Sequence, residues 1–192
     1  MLPGRVAYHD SVGRENLRKH LVDNAIRTDG PFRLRSGLVS SWYLDARQTT
    51  FSGLGAIAVA EAVLELVSPE TEAIGGMTMG ADPIAMACAV VSTQRGRPLL
   101  AFSIRKEAKQ HGTGGRLVGP VRAGTKVCVV EDTTTTGGAI AEAIDAVTDA
   151  GLVVTQVLTL VDRSEGRAAA ISAERDVPYE ALFVVGDLGV GE

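Results

Sequence analysis

The segment Lys126-Val127-Cys128-Val129-Val130-Glu131-Asp132-Thr133-Thr134-Thr135-Thr136-Gly137-Gly138-Ala139 decides how the rest of the chain is read. Four consecutive apolar residues from Val127 suit a strand covered on both faces, the pattern of a parallel sheet with helices on each side. The strand is expected over Lys126 to Val130, and a helix from about Gly138 to Ala150, closed by Gly151. Between them, hydroxyls, glycines that permit close approach and free amides at a helix start make a cradle for a phosphate. The two carboxylates pose the opposite problem, because they repel a phosphate. They make sense facing sugar hydroxyls, a divalent metal or a cationic centre that develops during reaction. A ribose phosphate meets both demands. The plainer alternative is a polar loop with one capping residue, but a cap needs only one such side chain.

Outward from this segment the chain alternates in kind. Val153 to Val161 reads as a strand, Glu72 to Gly76 and Leu99 to Arg105 as two more, and Pro83 to Ser92 as a helix. Ile57, Ala60, Leu64 and Val67 have helical spacing, as do Leu17, Leu21, Val22 and Ile26 in a surface helix over Arg14 to Ile26. Phe32 to Arg35 and Leu38 to Asp45 suggest a small antiparallel hairpin apart from the core. Strand-helix alternation of this sort predicts an α/β fold with a mainly parallel, twisted sheet, whose ligands bind beyond the carboxyl ends of the strands.

Composition narrows the classes. At 192 residues with no Pro- or Ser-rich linker and no repeat, a single domain over 1–192 is expected, with about 1–45 contributing a helix and a small hood. Hydrophobic residues at 45% against 22% charged exclude a disordered chain. A net charge of −4 argues against a general nucleic-acid binder, so a grip on polyanions must come from a local cluster. Cys88 and Cys128 form no CxxC pair, which signals neither a disulfide framework nor zinc. Met1 to Asp10 carries no signal core, and Glu61 and Glu65 interrupt the most apolar run. A cytoplasmic protein without membrane contact is expected.

Rival motifs fall away on inspection. Gly119 to Lys126 imitates a P-loop, but Thr125 and Lys126 stand in the wrong order and precede a strand. Gly53-Leu54-Gly55 imitates a dinucleotide fingerprint without a buried strand before it, so a small-residue helix entry is expected. There is no GxSxG or HExxH. His9 and His20 read as surface residues, and Trp42 and Tyr43 as hood packing. Lys106 to Arg116 holds Lys106, Lys109, His111 and Arg116 against one acid, Glu107, with glycines at 112, 114 and 115. That composition suits either a solvated turn or a lid over a polyanion. Arg163, after the Val153 strand, has a planar fork suited to a carboxylate or to a surface ion pair.

The segment Glu131 to Gly138 resembles the phosphoribosyl-pyrophosphate (PRPP) motif of type I phosphoribosyltransferases. Arg105-Lys106-Glu107-Ala108-Lys109-Gln110-His111-Gly112 is similar to the mobile catalytic loop of the orotate phosphoribosyltransferases. Phe32-Arg33-Leu34-Arg35-Ser36-Gly37 resembles that family's hood motif, and Gly75 to Pro83 its pyrophosphate-loop region. The resemblance implies the type I phosphoribosyltransferase fold and transfer of phosphoribose from PRPP to orotate, giving orotidine 5′-phosphate and pyrophosphate in pyrimidine biosynthesis.

It further implies Lys106, Lys109 and Asp132 as catalytic, and Arg105, Lys106, Lys109 and His111 at the pyrophosphate end of PRPP. Glu131 and Asp132 would engage the ribose hydroxyls, while Thr133, Thr134, Thr135, Thr136, Gly137, Gly138 and Ala139 form the 5′-phosphate loop. Thr135 and Arg163 would hold orotate, with Arg35 a contact from the hood at a position often lysine in the family. The pyrophosphate loop offers Thr78 and Met79 where many members have lysine. Magnesium is implied as cofactor, held mainly by PRPP and water rather than by direct protein ligands. A homodimer is implied too, with part of the catalytic loop reaching the partner's site. A sister enzyme for another nucleobase is the first rival. A non-catalytic PRPP or nucleotide sensor is the second, although only about thirty residues precede the hood motif, too few for a winged helix.

Overall fold

A strand that is apolar on both faces needs a helical layer on each side, and the alternation of elements supplies both. The computed structural model describes residues 12–33, 37, 39–107 and 115–190; Arg35, Lys109 and His111 lie outside them. The first part of the chain forms α1 (Val12–Asn24), β1 (Ile26–Arg27), β2 (Phe32–Arg33), β3 (Val39–Ser40), β4 (Tyr43–Leu44), α2 (Arg47–Thr50) and α3 (Gly53–Leu66). Then come β5 (Ala73–Met77), α4 (Ala81–Gln94), β6 (Leu100–Ile104), β7 (Leu117–Val118), β8 (Lys126–Thr134) and α5 (Gly138–Asp149). The chain continues with β9 (Val153–Asp162), α6 (Arg167–Ala173), β10 (Tyr179–Val184) and a 3-10 turn, Val185–Leu188.

The central sheet has the order β10-β9-β8-β5-β6-β7, parallel except for β7, which runs antiparallel to β6. From β5 the chain winds through α4 to β6 in one direction, and from β8 through α5 to β9 in the other. The reversal falls between β5 and β8, so a crevice opens where the ends of these two strands diverge.

Strand alternation distributes β8 between two cores. Cys128 and Val130 join Leu17, Val59, Ile74 and Ile84 on the side of α1, α3 and α4. Val127 and Val129 join Ile140, Ile144, Val147 and Phe102 on the side of α5. Each such side chain, fully buried, contributes about 1.5–3 kcal/mol of transfer free energy.

The first helix docks through Leu17 and Leu21, both fully buried. His20 is not the free surface residue its spacing suggests: its Nδ1 lies 3.1 Å from Thr49 Oγ1 and its Nε2 3.3 Å from Ser52 Oγ. The Ser52 hydroxyl accepts the Gly55 N–H at 3.0 Å, so the glycine-containing stretch is a capped helix entry, as expected. The hood is a pair of two-stranded ladders, β2 with β3 and β1 with β4. No helix among the described residues is long and apolar enough to cross a membrane.

The main departure concerns β8. The sequence predicts its end at Val130, yet the ladder to β9 continues through Glu131↔Thr159, Thr133↔Val161 and Thr134↔Asp162. Polarity ends the hydrophobic signal, but the backbone of a long neighbouring strand still offers partners. The acids are therefore fixed on a central strand and not on a loop after it.

Candidate active site

Because β8 extends to Thr134, both carboxylates are held by the sheet with little freedom. Glu131 and Asp132 are each buried. Burial, and then the negative charge of Asp132 beside it, push the Glu131 carboxyl up to about 9, so it holds its proton at neutral pH. Asp132 Oδ1 accepts the Thr133 N–H at 2.7 Å, which fixes its carboxylate at the cavity wall.

After Thr134 the chain turns sharply into α5. Gly137 has φ 79°, in the left-handed region, and a Cβ there would stand 2.5 Å from Ile171 Cδ1. The Gly137 N–H donates to Thr134 Oγ1 at 3.2 Å, and the Gly138 N–H to Thr136 Oγ1 at 3.3 Å. The buried Thr134 hydroxyl is thus used in building the loop itself. Thr135 and Thr136 are exposed at its tip, beside the start of α5, where the N–H groups of a helix's first turn lack intrahelical acceptors. Two long-range bonds brace the loop from outside: Arg163 N–H to Thr134 O at 2.8 Å and Arg167 Nη2 to Thr135 O at 3.0 Å.

A cavity of about 550 Å³ lies at the divergence of β5 and β8. Glu131, Asp132, Thr133 and Ala139 form one wall. Met77, Thr78, Met79 and Gly80, which follow from β5, form another. Lys106 contributes a cation from the end of β6, and Tyr43, Asp45 and Arg47 reach in from the hood. Lys106 thus lies on the same cavity as Asp132 within one chain. Arg105 is half-buried, and its N–H is held by Arg116 O at 2.9 Å, while Arg116 Nε donates back to Arg105 O at 2.8 Å. Arg116 also pairs with Glu142 on α5. It is committed to the base of the basic segment and to the helix that starts at the phosphate cradle. Thr78 Oγ1 donates to Asp82 Oδ2 at 2.7 Å.

A second cleft, of about 460 Å³, contains Arg163 with Trp42, Asp162 and Glu165. Its guanidinium lies over the Trp42 ring, 4.7 Å from the centroid, and burial draws its pKa down from the usual arginine range. Arg35, Lys109 and His111 fall outside the described residues. Sequence reasoning passed over Arg47 and Arg167, and took Gly80 only as part of the pyrophosphate-loop resemblance, with no role of its own. Arg47 stands at a helix start where a cation has no special meaning, and Arg167 lies on α6, whose alanines carry no helical periodicity to reveal it.

Among the described residues no three His, Cys, Asp or Glu side chains gather as a metal cluster. The oxygens of Asp132, at the cavity wall beside a protonated Glu131, offer a single hard donor group of the kind magnesium uses when most of its ligands are water and phosphate.

No protein-family model matches the chain. It is 42% identical over 178 residues to an orotate phosphoribosyltransferase of Streptomyces avermitilis, spanning 92% of this chain and 97% of that protein. It superposes on the Mycobacterium tuberculosis orotate phosphoribosyltransferase, solved with Fe(III) dicitrate, with a TM-score of 0.83 at 36% identity, covering 93% of this chain and 99% of the other. The same enzyme in complex with PRPP gives a TM-score of 0.77 at 33% identity, over 93% and 99% of the two chains.

Proposed function

The chain belongs to the orotate phosphoribosyltransferase family, and from that premise we propose how its own residues carry out the reaction. It transfers the 5-phosphoribosyl group from PRPP to orotate, giving orotidine 5′-phosphate and pyrophosphate. The observation that carries the assignment of roles is the continuity of β8 through Glu131 and Asp132 into the glycine turn, which sets two acids and a phosphate cradle at a fixed separation.

Displacement at the anomeric carbon builds positive charge on the ribose ring and negative charge on the departing pyrophosphate. Asp132 accepts from a ribose hydroxyl and stabilises the cationic ring, and the protonated Glu131 donates to a second hydroxyl oxygen. The 5′-phosphate sits in the turn from Thr135 to Ala139, on the amides at the start of α5. Lys106, Lys109 and His111 stabilise the leaving pyrophosphate, with Arg105 supporting them from the segment's base. Arg163 takes the carboxylate of orotate, with Thr135 and Arg35 as further contacts.

Magnesium would be carried mainly by PRPP and water, with Asp132 the residue that would help hold it, and would supply positive charge against the leaving group. The remaining selectivity comes from the protein: the base needs a carboxylate to engage Arg163, which purines and uracil lack.

The exposed apolar residues Leu54 and Ile57 of α3 and Met86 and Val90 of α4 lie on two helices packed against each other. They supply a face for a second copy in a homodimer. A cytoplasmic setting belongs to the same proposal and rests on two buried thiols that stay free.

Incubation with PRPP, magnesium and each of orotate, uracil, hypoxanthine and adenine tests the assignment. Turnover is expected with orotate alone; turnover of a purine without orotate overturns it.

A further inference from the structure

We propose that Trp42 is a positioning residue for the base: its indole ring stacks on the Arg163 guanidinium and aims that cation's edge at the orotate carboxylate. This rests on the assignment of Arg163 to orotate. The ring lies 4.7 Å from the guanidinium carbon, within cation–π range. Both side chains line one cleft, although they are far apart in sequence.

The chemistry of the arrangement lies in what it leaves free. A guanidinium has its five N–H donors in one plane, so a partner on its face consumes none of them. The nearest carboxylate in sequence is occupied elsewhere: Asp162 Oδ1 accepts the Ser164 N–H at 2.6 Å and Oδ2 accepts the Tyr179 hydroxyl at 2.9 Å. Among the described residues no acid forms an ion pair with Arg163. The outcome is a half-buried cation that lies over the indole ring and pairs with no acid among the described residues, which leaves N–H donors for a bidentate carboxylate.

Both partners are fixed at the backbone. The Arg163 N–H is held by Thr134 O, the last residue of β8. Trp42 sits in the turn between β3 and β4, where the Ser40 hydroxyl donates to Trp42 O at 2.7 Å and accepts the Trp42 N–H at 3.3 Å. Neighbours on the hood divide the work: Trp42 lines the Arg163 cleft, and Tyr43 lines the cavity of Asp132. The hood therefore touches both substrate regions through adjacent residues.

Trp42 is the single tryptophan of the chain, so its emission reports on the stack without any assay of activity. Steady-state kinetics would be measured for Trp42→Phe, Trp42→Leu, Arg163→Ala and the Trp42→Leu/Arg163→Ala double variant, and emission spectra for the wild-type protein and Arg163→Ala, the two that keep the tryptophan. Leucine keeps an apolar side chain without a π face, whereas phenylalanine keeps the face. Expected are a rise of about tenfold in the KM for orotate with Trp42→Leu, little change in kcat or in the KM for PRPP, and near wild-type behaviour with Trp42→Phe. In the Arg163→Ala background Trp42→Leu should add nothing, and Arg163→Ala alone should shift the emission of the ligand-free protein.

Equal effects of leucine and phenylalanine, additivity with Arg163→Ala, or emission indifferent to Arg163 would each overturn the proposal. Should the wild-type protein bind PRPP and not turn over orotate while Arg163→Ala still shifts the emission, the stack stands and the base assignment fails.

Discussion

The Asp132 carboxylate occupies the space that a side chain on Gly80 would need. A Cβ built there would stand 2.6 Å from Asp132 Oδ1 and 2.9 Å from its Cγ. Gly80 itself has φ −59° and ψ −43°, a helical conformation open to any residue, so the glycine answers to the carboxylate and not to the backbone. The end of β5 and the end of β8 thus meet at the group proposed to face the ribose.

Gly80→Ala should separate function from folding. Alanine suits this backbone and reduces the freedom of the unfolded chain, an effect of about 0.4–1 kcal/mol that offsets part of the cost of moving the carboxylate. The displaced carboxylate should lower kcat/KM for PRPP by at least about tenfold, a misplacement cost of the kind that positioning imposes. Thermal melting together with kinetics checks it; a variant with normal activity would remove the fixed position of Asp132 from the mechanism.

Glu131 makes stability depend on pH. Its folded-state value of about 9 lies well above the ordinary 4.5 of a free glutamate, because of burial and then the charge of Asp132. Between these values the folded chain holds a proton that the unfolded chain has released. This contribution is present in full below about pH 4.5 and is lost as the pH rises towards about 9. Glu131→Gln cannot ionise, so its stability relative to wild type should grow by at least about 2 kcal/mol from pH 5 to pH 9. Urea midpoints of the ligand-free protein at the two pH values measure the difference. Activity should fall in the same variant if the acid group serves the ribose.

What the sequence disclosed and what it hid follow from the same physics. Val127 to Val130 were legible because both faces of β8 are buried, and the acids, threonines and glycines after them because that combination has few other uses. The continuation to Thr134 was hidden, since it depends on the length of β9 and not on hydropathy. β10 buries only Leu182 and Phe183, α6 is a short run dominated by alanine, and β7 is two residues long, so none carries a periodic signal. His20 read as solvent-facing because its partners lie on other elements, Thr49 on α2 and Ser52 at the entry of α3. Among site residues, Glu131, Asp132 and Lys106 could be placed from local pattern. Gly80 and Arg167 act through contacts made across the fold, and Arg47, paired locally with Asp45, joins the cavity wall only through the folding of the hood, which one sequence does not show.

The cysteines should be inert in the native protein. Burial pushes the Cys88 thiol up to about 12, and Cys128, also buried, is raised well above its usual value. Thiolate, the reactive form, is therefore scarce and shielded. A chromogenic disulfide reagent should titrate no thiol at pH 8 in the folded protein and both after denaturation, with activity unchanged by prolonged exposure to the reagent. Rapid modification of the native enzyme would contradict the packing around β8 and α4.

Sharing of the basic segment between the subunits of the proposed homodimer can be tested by mixing inactive variants. Lys106 lines the cavity of Asp132 in its own chain, so it should act there; the family resemblance implies that part of the catalytic loop reaches the partner's site, and Lys109 is proposed as the residue that does so. In a dimer of Lys109→Ala and Asp132→Asn subunits, one site then combines an intact Asp132 with an intact Lys109 from across the interface. An equimolar mixture should recover about a quarter of wild-type turnover, since half of the dimers are mixed and each holds one complete site. The pair Lys106→Ala and Asp132→Asn should recover nothing, because every site retains one defect when both residues belong to the same chain. Recovery in the second mixture would move Lys106 to the partner's site. A silent first mixture, with mixed dimers verified by mass, would confine Lys109 to its own subunit.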